Sequence, residues 1–285
     1  MNRPSQHAIS SQVKIALEED LGGTIDINND ITACLIDADT HAQAKVITRE
    51  ACTICGVDWV NETFTQIDPE VEITWLVKDG DQTDAGSTLF SVAGNARAIL
   101  TAERTALNFL QTLSGTATIT AKYAKLLAHT DTQILDTRKT LPGMRLAQKY
   151  AVQCGGGKNH RIGLFDAYLI KENHIAACGS IPNAISKARQ LNPQKPVEVE
   201  VENLDQLHQA IDAKADIIML DNFTNEQIQQ AVDINQGRSK LEVSGNITDE
   251  RLASLSKLGV NYVSSGALTK HVQAIDLSLR LNIKP

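Results

Sequence analysis

The hydrophobic pattern of the first hundred residues predicts a mixture of helices and strands. Apolar residues recur at helical spacing from Ile9 to Leu21, and residues 58–67 carry a second helical pattern. AQAKVITRE alternates as a strand does, and Gly and Asp turns bound two further strand candidates, VEITWLVKDG and STLFSVAGN. We therefore expect an α+β domain in this part of the chain.

The pattern changes near residue 113. A long helical pattern over residues 96–128, interrupted at Ser114-Gly115, is expected to bridge two domains. A strand-then-helix unit then repeats about every 20 to 30 residues, with helices predicted at 185–191 and 204–213. The strand candidates are TQILDTRK, AYLIKENH, VEVEVEN, DIIMLDN, KLEVSGN and NYVSSGAL. We expect an N-terminal domain of residues 1–113, a catalytic domain of residues 114–272, and a tail, 273–285, that packs back on the first domain.

The ends of these strands distinguish a barrel from an open sheet. Each candidate strand is apolar in its body and polar at its carboxyl end. In a βα barrel those ends converge on one mouth, whereas an open sheet spreads them along an edge. The polar residues are Arg138, Lys139, Lys171, Glu200, Glu202, Asp221, Ser244, Ser264 and Ser265. We therefore predict an incomplete α/β barrel, because only six or seven strands are found.

Composition narrows the possible partners and the compartment. A pI near 5.5 and 4% aromatic residues argue against nucleic-acid binding. No apolar run approaches the roughly 20 residues of a membrane helix, and the first residues lack the apolar core of a signal peptide. Five scattered cysteines indicate reduced thiols and a cytoplasmic protein without a membrane partner. Cys52 and Cys55 form one CxxC without further ligands, which is more typical of buried packing than of zinc.

Cationic residues cluster in 136–161 and 171–174, although the formal net charge of the chain is −7. They are Arg138, Lys139, Lys158, His160, Arg161 and Lys171. Such a cluster indicates a site for a compact polyanion, such as a dicarboxylate or a sugar phosphate. The GGGK segment is not a nucleotide P-loop, because Asn159 follows Lys158 where Ser or Thr is needed.

Two later segments, LEVSGNITDE and YVSSGALTK, each end a strand in Ser-Gly before a helical pattern. Glycine lets backbone N–H groups approach an anion, and barrel phosphate sites form from the last two βα loops. Ordinary tight turns use the same residues, so this alternative stays open. The phosphate candidates are Ser244, Gly245, Asn246, Ser265 and Gly266.

Two acids at successive strand ends, Glu200 and Asp221, could bind Mg²⁺ or stabilise a developing positive charge. Salt bridges to neighbouring cations are the alternative. Alternation in VEVEVEN places Glu198, Glu200 and Glu202 on one face, of which only those nearest the mouth are expected to matter.

Three other polar residues carry no chemistry on sequence grounds. Arg104 lies on the bridging helix, where an arginine is usually a solvated charge. Asp136 and Thr137 precede Arg138 and could cap or orient the chain.

Eight motifs, in this order, resemble those of the quinolinate phosphoribosyltransferases, the carboxylating nicotinate-nucleotide pyrophosphorylases, over essentially the whole chain. They are ERTALNFLQTLSGTAT, DTRKTLPGMR, GGGKNHR, LFDAYLIKENH, EVEVEN, IIMLDN, SGNI and SGALTKHV. The resemblance implies an N-terminal open-faced α/β sandwich and an incomplete α/β barrel. It also implies a head-to-tail homodimer in which Arg104 reaches the partner's site.

The resemblance further implies a reaction and roles for residues. Phosphoribosyl pyrophosphate and quinolinate would give nicotinate mononucleotide, pyrophosphate and CO₂, with Mg²⁺ as cofactor. The implied catalytic residues are Lys139, Lys171, Glu200 and Asp221, of which Glu200 and Asp221 would hold the metal. The implied quinolinate ligands are Arg104, Arg138, His160, Arg161 and Lys171. The implied phosphoribosyl pyrophosphate ligands are Lys139, Ser244, Gly245, Asn246, Ser265 and Gly266.

Three alternatives remain on the sequence alone. A phosphoribosyltransferase of the same fold could act on nicotinate or another anionic substrate, although all the cations that a dicarboxylate needs are present. A sugar-phosphate sensor would keep the Ser-Gly loops but would not need Glu200 with Asp221. A Schiff-base aldolase would use Lys171 as its nucleophile.

Overall fold

The computed structural model describes residues 3–245 and 247–283, which form two compact units. The first unit comprises Met1–Ala121, Pro142–Gly156 and Val272–Pro285, and the second comprises Lys122–Leu141 and Gly157–His271. The helices are α1 (Gln6–Asp20), α2 (Val57–Ile67), α3 (Ala96–Leu127), α4 (Arg145–Cys154), α5 (Glu172–Cys178), α6 (Ile181–Leu191), α7 (Leu204–Asp212), α8 (Asn225–Asn235), α9 (Asp249–Leu255) and α10 (Ala267–Lys270). The strands are β1 (His41–Thr48), β2 (Cys52–Thr53), β3 (Glu72–Trp75), β4 (Gln82–Thr83), β5 (Thr88–Asn95), β6 (Gln133–Leu135), β7 (Tyr168–Ile170), β8 (Val197–Val201), β9 (Ile217–Asp221), β10 (Lys240–Ser244), β11 (Tyr262–Ser264) and β12 (Leu277–Ile283).

The first unit contains a four-stranded antiparallel sheet in the order β12-β1-β5-β3. Alternate residues of β1 are buried, and this apolar face packs against α2 and α3 in one core. Lys45 and Arg280 lie beside a groove on the opposite face of the sheet. One face covered by helices and one left open make an open-faced sandwich, which confirms the prediction.

The second unit contains a six-stranded parallel sheet in the order β6-β11-β10-β9-β8-β7. The three valines of β8 are fully buried, whereas its glutamates point to the other face. The strands β6 and β7 form the two edges, so the barrel is incomplete, as predicted. An isolated parallel bridge joins Lys158 to Leu135 beyond β6. Helices α6, α7 and α8 each begin at a side-chain N-cap, a local signal that the sequence carries.

The bridging helix differs from its prediction. The helix α3 runs without interruption through Ser114-Gly115, where a break was expected. A methyl group on Gly115 would collide with the carbonyl oxygen of Gln273. The glycine therefore permits a close approach of two segments and does not end a helix.

The boundaries of the predicted domains differ from those of the two compact units. The tail, predicted only to pack back, forms strand β12 and pairs with β1 over seven residues. The division between compact units falls after Ala121 and places Pro142–Gly156 in the first unit, so the domain boundary at residue 113 stays a prediction. In the part of the chain that is described, no helix is both long and apolar enough to cross a membrane.

The close approach at Gly115 predicts the effect of adding one methyl group. We expect Gly115→Ala to lower the free energy of unfolding by about 1–3 kcal/mol, because the carbonyl of Gln273 must move. A glycine that was merely weak in a helix would instead yield a gain of about 1 kcal/mol. Urea unfolding measures the sign, with Lys125→Ala on the exposed side of α3 as the control.

Candidate active site

A cavity of about 300 Å³ opens in the second unit among residues at the carboxyl ends of its strands. Its size suits a small ligand. The lining residues are Thr137, Arg138, Lys139, His160, Arg161, Leu169, Lys171, Glu200, Met219, Ser244 and Ser264. Seven of the predicted site residues therefore share one cavity, as expected if parallel strand ends converge.

An ion pair joins two of these residues across neighbouring strands. Lys171 follows β7 and Glu200 lies in β8, and the register places Ile170 opposite Val199. The Lys171 Nζ atom donates to Glu200 Oε2 at 2.6 Å. The salt bridge expected as the alternative role of Glu200 is therefore present. A Schiff-base nucleophile would have to leave this carboxylate partner before it could attack a carbonyl group.

The two arginines of the cavity lie close enough to affect each other. Burial, and then the charge of Arg138, lower the pKa of Arg161. An Arg161 NH1 group also donates to the carbonyl of Ala167 at 3.3 Å. Both guanidinium groups stay charged because the ordinary pKa of arginine is so high. Their mutual repulsion would be relieved by a bound anion.

Of the residues predicted to bind phosphate, only some of those described lie at the cavity. Ser244 lines the cavity. A Cβ atom on Gly245 would lie 2.8 Å from Asn222 Oδ1, and one on Gly266 would lie 2.9 Å from Lys139 Cδ. Ser265 is buried, and Asn246 lies outside the described residues.

The loops after β10 and β11 lead into helices α9 and α10. The amino ends of these helices offer less positive potential to an anion than the sequence suggested. Helix α9 has Asp249 and Glu250 in its first turn, and α10 has only four residues. The acids occupy the positive end of α9, and a helix of one turn has a small dipole. Anion binding at these loops would therefore depend on backbone N–H groups and on Lys139 rather than on helix dipoles.

Two predicted residues lie elsewhere. Among the described residues that line the cavity, Asp221 is absent, and its Oδ2 accepts from Asn222 Nδ2 at 2.9 Å. In the register, Glu200 pairs with Met219, and Asp221 pairs with Ser244, which does line the cavity. Arg104 is exposed on α3 in the first unit, which agrees with a solvated charge within a single chain.

Three buried acids lie beside the cavity, and the sequence indicated only that Asp136 could orient the chain and that Glu198 shares a face with Glu200. Asp136 is fully buried, and it accepts from His160 N at 2.9 Å and from Asn159 Nδ2 at 2.6 Å. Glu198 and Glu242 are also buried, and their carboxylate oxygens lie 2.8 and 3.7 Å from His160 Nε2. The expectation that only the glutamates nearest the mouth matter stays a prediction. Their strand periodicity gave a face but not its burial.

The second of these glutamates is strongly perturbed. Burial away from water, and then the charge of Glu198, raise the pKa of Glu242 to about 8, although His160 opposes the shift. A carboxyl group with this pKa is mostly protonated at neutral pH. His160, Glu198 and Glu242 could also bind one metal ion together, since their potential ligand atoms lie within 4.8 Å of one another.

The comparisons with known proteins agree with this geometry. A family model of the quinolinate phosphoribosyl transferase C-terminal domain matches residues 116–280, and that of the N-terminal domain matches residues 26–114. This chain belongs to the quinolinate phosphoribosyltransferase family. The family models also separate the two domains within α3, next to Gly115.

Individual family members are similar over nearly their whole length. The chain is 40% identical to the probable nicotinate-nucleotide pyrophosphorylase [carboxylating] of Bacillus subtilis, covering 93% of this chain and 90% of the relative. It is 38% identical to quinolinate phosphoribosyltransferase [decarboxylating] 1b of Nicotiana tabacum, covering 95% and 81%. The structure of the nicotinate-nucleotide pyrophosphorylase from Francisella tularensis superposes with a TM-score of 0.93 at 53% identity, covering 99% and 98%.

The raised pKa of Glu242 predicts a specific dependence of stability on pH. Because the folded pKa, about 8, exceeds the ordinary 4.5, the folded protein keeps a proton that the unfolded chain releases. This stabilisation is complete below about pH 4.5 and is lost as the pH rises through about 8. Relative to wild type, Glu242→Gln should therefore gain up to about 1.4 kcal/mol per pH unit across this window.

Urea unfolding at several pH values between about 4.5 and 8 measures the difference in free energy of unfolding between Glu242→Gln and wild type. A Glu202→Gln variant, which changes an exposed glutamate of the same unit, controls for the loss of one negative charge. A constant difference between wild type and Glu242→Gln across the window would contradict the prediction.

Proposed function

We propose that this protein transfers the phosphoribosyl group of phosphoribosyl pyrophosphate to the ring nitrogen of quinolinate and removes one carboxylate as CO₂. The products are nicotinate mononucleotide and pyrophosphate, which places the reaction in NAD biosynthesis. The cavity carries the proposal, because it gathers Arg138, Arg161 and Lys171 around a space of about 300 Å³. Two relatives are named as carboxylating or decarboxylating enzymes of this kind. We also propose a cytoplasmic location, where the five unpaired cysteines would stay reduced.

Complementary charge explains how the protein would bind both carboxylates of quinolinate. Arginine binds a carboxylate through two parallel N–H groups, and lysine adds a point charge. Arg138, Arg161 and Lys171 would fix the dianion so that its ring nitrogen faces the anomeric carbon of the sugar. On binding, the substrate carboxylate would share Lys171 with Glu200, the partner it has in this structure.

Group transfer would proceed through displacement at the anomeric carbon. The ring nitrogen forms a bond to that carbon as the bond to the pyrophosphate oxygen breaks. Positive charge develops on the sugar, and Glu200 and Asp221 would stabilise it electrostatically. Lys139, which is exposed at the cavity beside Gly266, would bind the departing pyrophosphate.

Decarboxylation would follow from the new positive charge on the nitrogen. The carbon–carboxylate bond breaks, and its electron pair stays on the ring carbon, where the adjacent pyridinium stabilises it. That carbon then takes a proton, and CO₂ leaves. Exclusion of water would favour this step, because water stabilises the carboxylate that must be lost.

Magnesium is the cofactor that we propose for pyrophosphate release. The donor chemistry fits, because Glu200 and Asp221 offer the carboxylate oxygens that Mg²⁺ prefers. Both carboxylates are partly accessible, and among the described residues Glu200 bonds to Lys171 and Asp221 to Asn222, contacts that a cation could displace. Bound there, Mg²⁺ would neutralise charge on the pyrophosphate.

We further propose that the active form is a homodimer in which Arg104 enters the site of the partner subunit. This arginine is exposed on α3, a long and otherwise mostly buried helix. A cation held on a rigid helix could complete the dicarboxylate site at little cost in conformational entropy.

An end-point assay tests the reaction. We expect equal amounts of CO₂ and nicotinate mononucleotide from quinolinate, phosphoribosyl pyrophosphate and Mg²⁺, and no turnover of nicotinate under the same conditions. A Lys171→Met variant should lower kcat/KM by at least about 100-fold, since it removes a charge-assisted contact. Lys257→Met, which removes an exposed lysine of the same unit, is the matched control. Turnover of nicotinate alone would refute the substrate assignment and leave the fold unaffected.

Mixing two inactive variants tests the shared site. Arg104→Ala and Lys171→Met should each be inactive, yet subunit exchange should create one intact site in each mixed dimer. Random exchange of equal amounts should restore about one quarter of wild-type activity, because half of the dimers are mixed. Co-expression of two differently tagged chains isolates the mixed dimer directly. A mixture as inactive as its components would refute the shared site but not the reaction.

A further inference from the structure

The loop that carries Arg161 is closed by a carboxylate a few residues further along the chain. Residues 161–167, here called the arginine loop, lead from the cavity to strand β7. Asp166 turns back on this loop and accepts two consecutive backbone N–H groups. Ile162 N donates to its Oδ2 at 2.7 Å, and Gly163 N donates to its Oδ1 at 3.2 Å. Both carboxylate oxygens therefore hold the backbone that follows Arg161.

The side chain of Arg161 is held by the same end of the loop. Its NH1 group donates to the carbonyl oxygen of Ala167, the residue after Asp166, at 3.3 Å. A carbonyl group has no net charge, so this contact orients the guanidinium without neutralising it. A guanidinium has five N–H donors, and a paired contact with a carboxylate needs two of them. The guanidinium lines the cavity in this orientation.

The arginine loop is anchored to the edge of the parallel sheet. Ala167 directly precedes β7, where the backbone N–H of Tyr168 donates to the carbonyl of Pro196 at 2.9 Å. Lys171 follows the other end of the same strand, and it lines the cavity together with Arg161. Because β7 has only three residues, one short element fixes the positions of both cations.

The contribution of Asp166 to Arg161 is geometric. Burial, and then the charge of Arg138, lower the pKa of Arg161, whereas the charges of Glu198 and Asp166 raise it. An arginine stays charged in proteins in either case, so the guanidinium does not need Asp166 to keep its proton. What Asp166 supplies is the fold of the backbone on which the guanidinium is carried.

We infer that Asp166 is a positioning residue, whose carboxylate folds the arginine loop back onto β7 so that the Arg161 guanidinium meets one carboxylate of the substrate. The inference rests on the proposed function, because it takes Arg161 as a group that contacts quinolinate. In the part of the chain that the structure describes, Asp166 does not line the cavity, so it would act through Arg161. A carboxylate inside the cavity would repel a dianion, whereas one bonded to the backbone outside it fixes a cation.

Calorimetric titration of quinolinate measures this positioning. Asp166→Ala removes both acceptors and should weaken quinolinate binding roughly 10- to 100-fold, since a guanidinium displaced by about 1 Å loses its paired contact. Asp166→Asn keeps one acceptor oxygen for a backbone N–H group and should recover part of the affinity. Asp212→Ala, which removes an exposed acid of the same unit, is the control and should bind as wild type does.

A double-mutant cycle shows whether Asp166 acts through Arg161. When Arg161→Ala is already present, adding Asp166→Ala should change the affinity for quinolinate by less than about threefold, because the group that Asp166 positions is gone. A residue that only stabilised the fold would cause the same loss with and without Arg161. Equal losses in the two backgrounds would therefore overturn the inference.

Steady-state kinetics separates positioning from a general disturbance of the cavity. In Asp166→Ala, the KM for quinolinate should rise, whereas the KM for phosphoribosyl pyrophosphate should stay within about threefold, since Arg161 contacts only the dicarboxylate. A parallel rise in both KM values would refute the positioning role. Thermal unfolding shows whether Asp166→Ala is folded. If it is not, the same comparison of the two KM values in Asp166→Asn decides.

The titration also separates this inference from the proposed function. Failure of the wild-type protein to bind quinolinate would refute the function and remove the inference with it. Binding by wild type, with unchanged affinity in Asp166→Ala, would refute the inference and leave the function standing.

Discussion

The second unit depends on one electrostatic constraint, which is the need to hold several cations around a small cavity before any anion arrives. Arg138, Arg161 and Lys171 repel one another, and the lowered pKa of Arg161 records part of that repulsion. Nearby acids offset it. Glu200 pairs with Lys171, and the carboxylate of Asp136, which follows β6, accepts from the backbone N–H of His160. Before a substrate binds, carboxylates of the protein thus take the place that substrate carboxylates would occupy beside these cations.

The incomplete barrel explains why residues 159–163 need side-chain acceptors. The strands β6 and β7 are the edges of the sheet, and an isolated bridge between Lys158 and Leu135 extends it beyond β6. Among the described residues, no strand accepts the backbone N–H groups that follow this bridge, yet unpaired buried groups are costly. Asp136, His160 and Asp166 accept four of them in succession. The same opening that removes strand pairing therefore creates a loop whose geometry is set by side chains, which is suited to placing Arg161.

The sequence predicts much of this fold for identifiable reasons. Helical spacing located α1 and α2, and the polar ends of the strands correctly indicated that Arg138, Lys171 and Glu200 would share one cavity. Other features depend on partners far away in the chain. The close approach at Gly115 involves the carbonyl of Gln273, and the surroundings of His160 include Glu198 and Glu242. Alternation in β8 showed that its glutamates share a face, but periodicity cannot tell an interior face from a solvated one.

Burying two acids beside the cavity of a barrel costs free energy. An apolar layer would stabilise the interior more than the two buried acids Glu198 and Glu242, and burial penalises the charged form of Glu242. Protonation limits that cost. With a pKa of about 8, Glu242 is mostly protonated at neutral pH, so it adds little negative charge beside the cavity. Two acids can therefore lie beside His160 while the arginines of the cavity keep the positive charge that an anion needs.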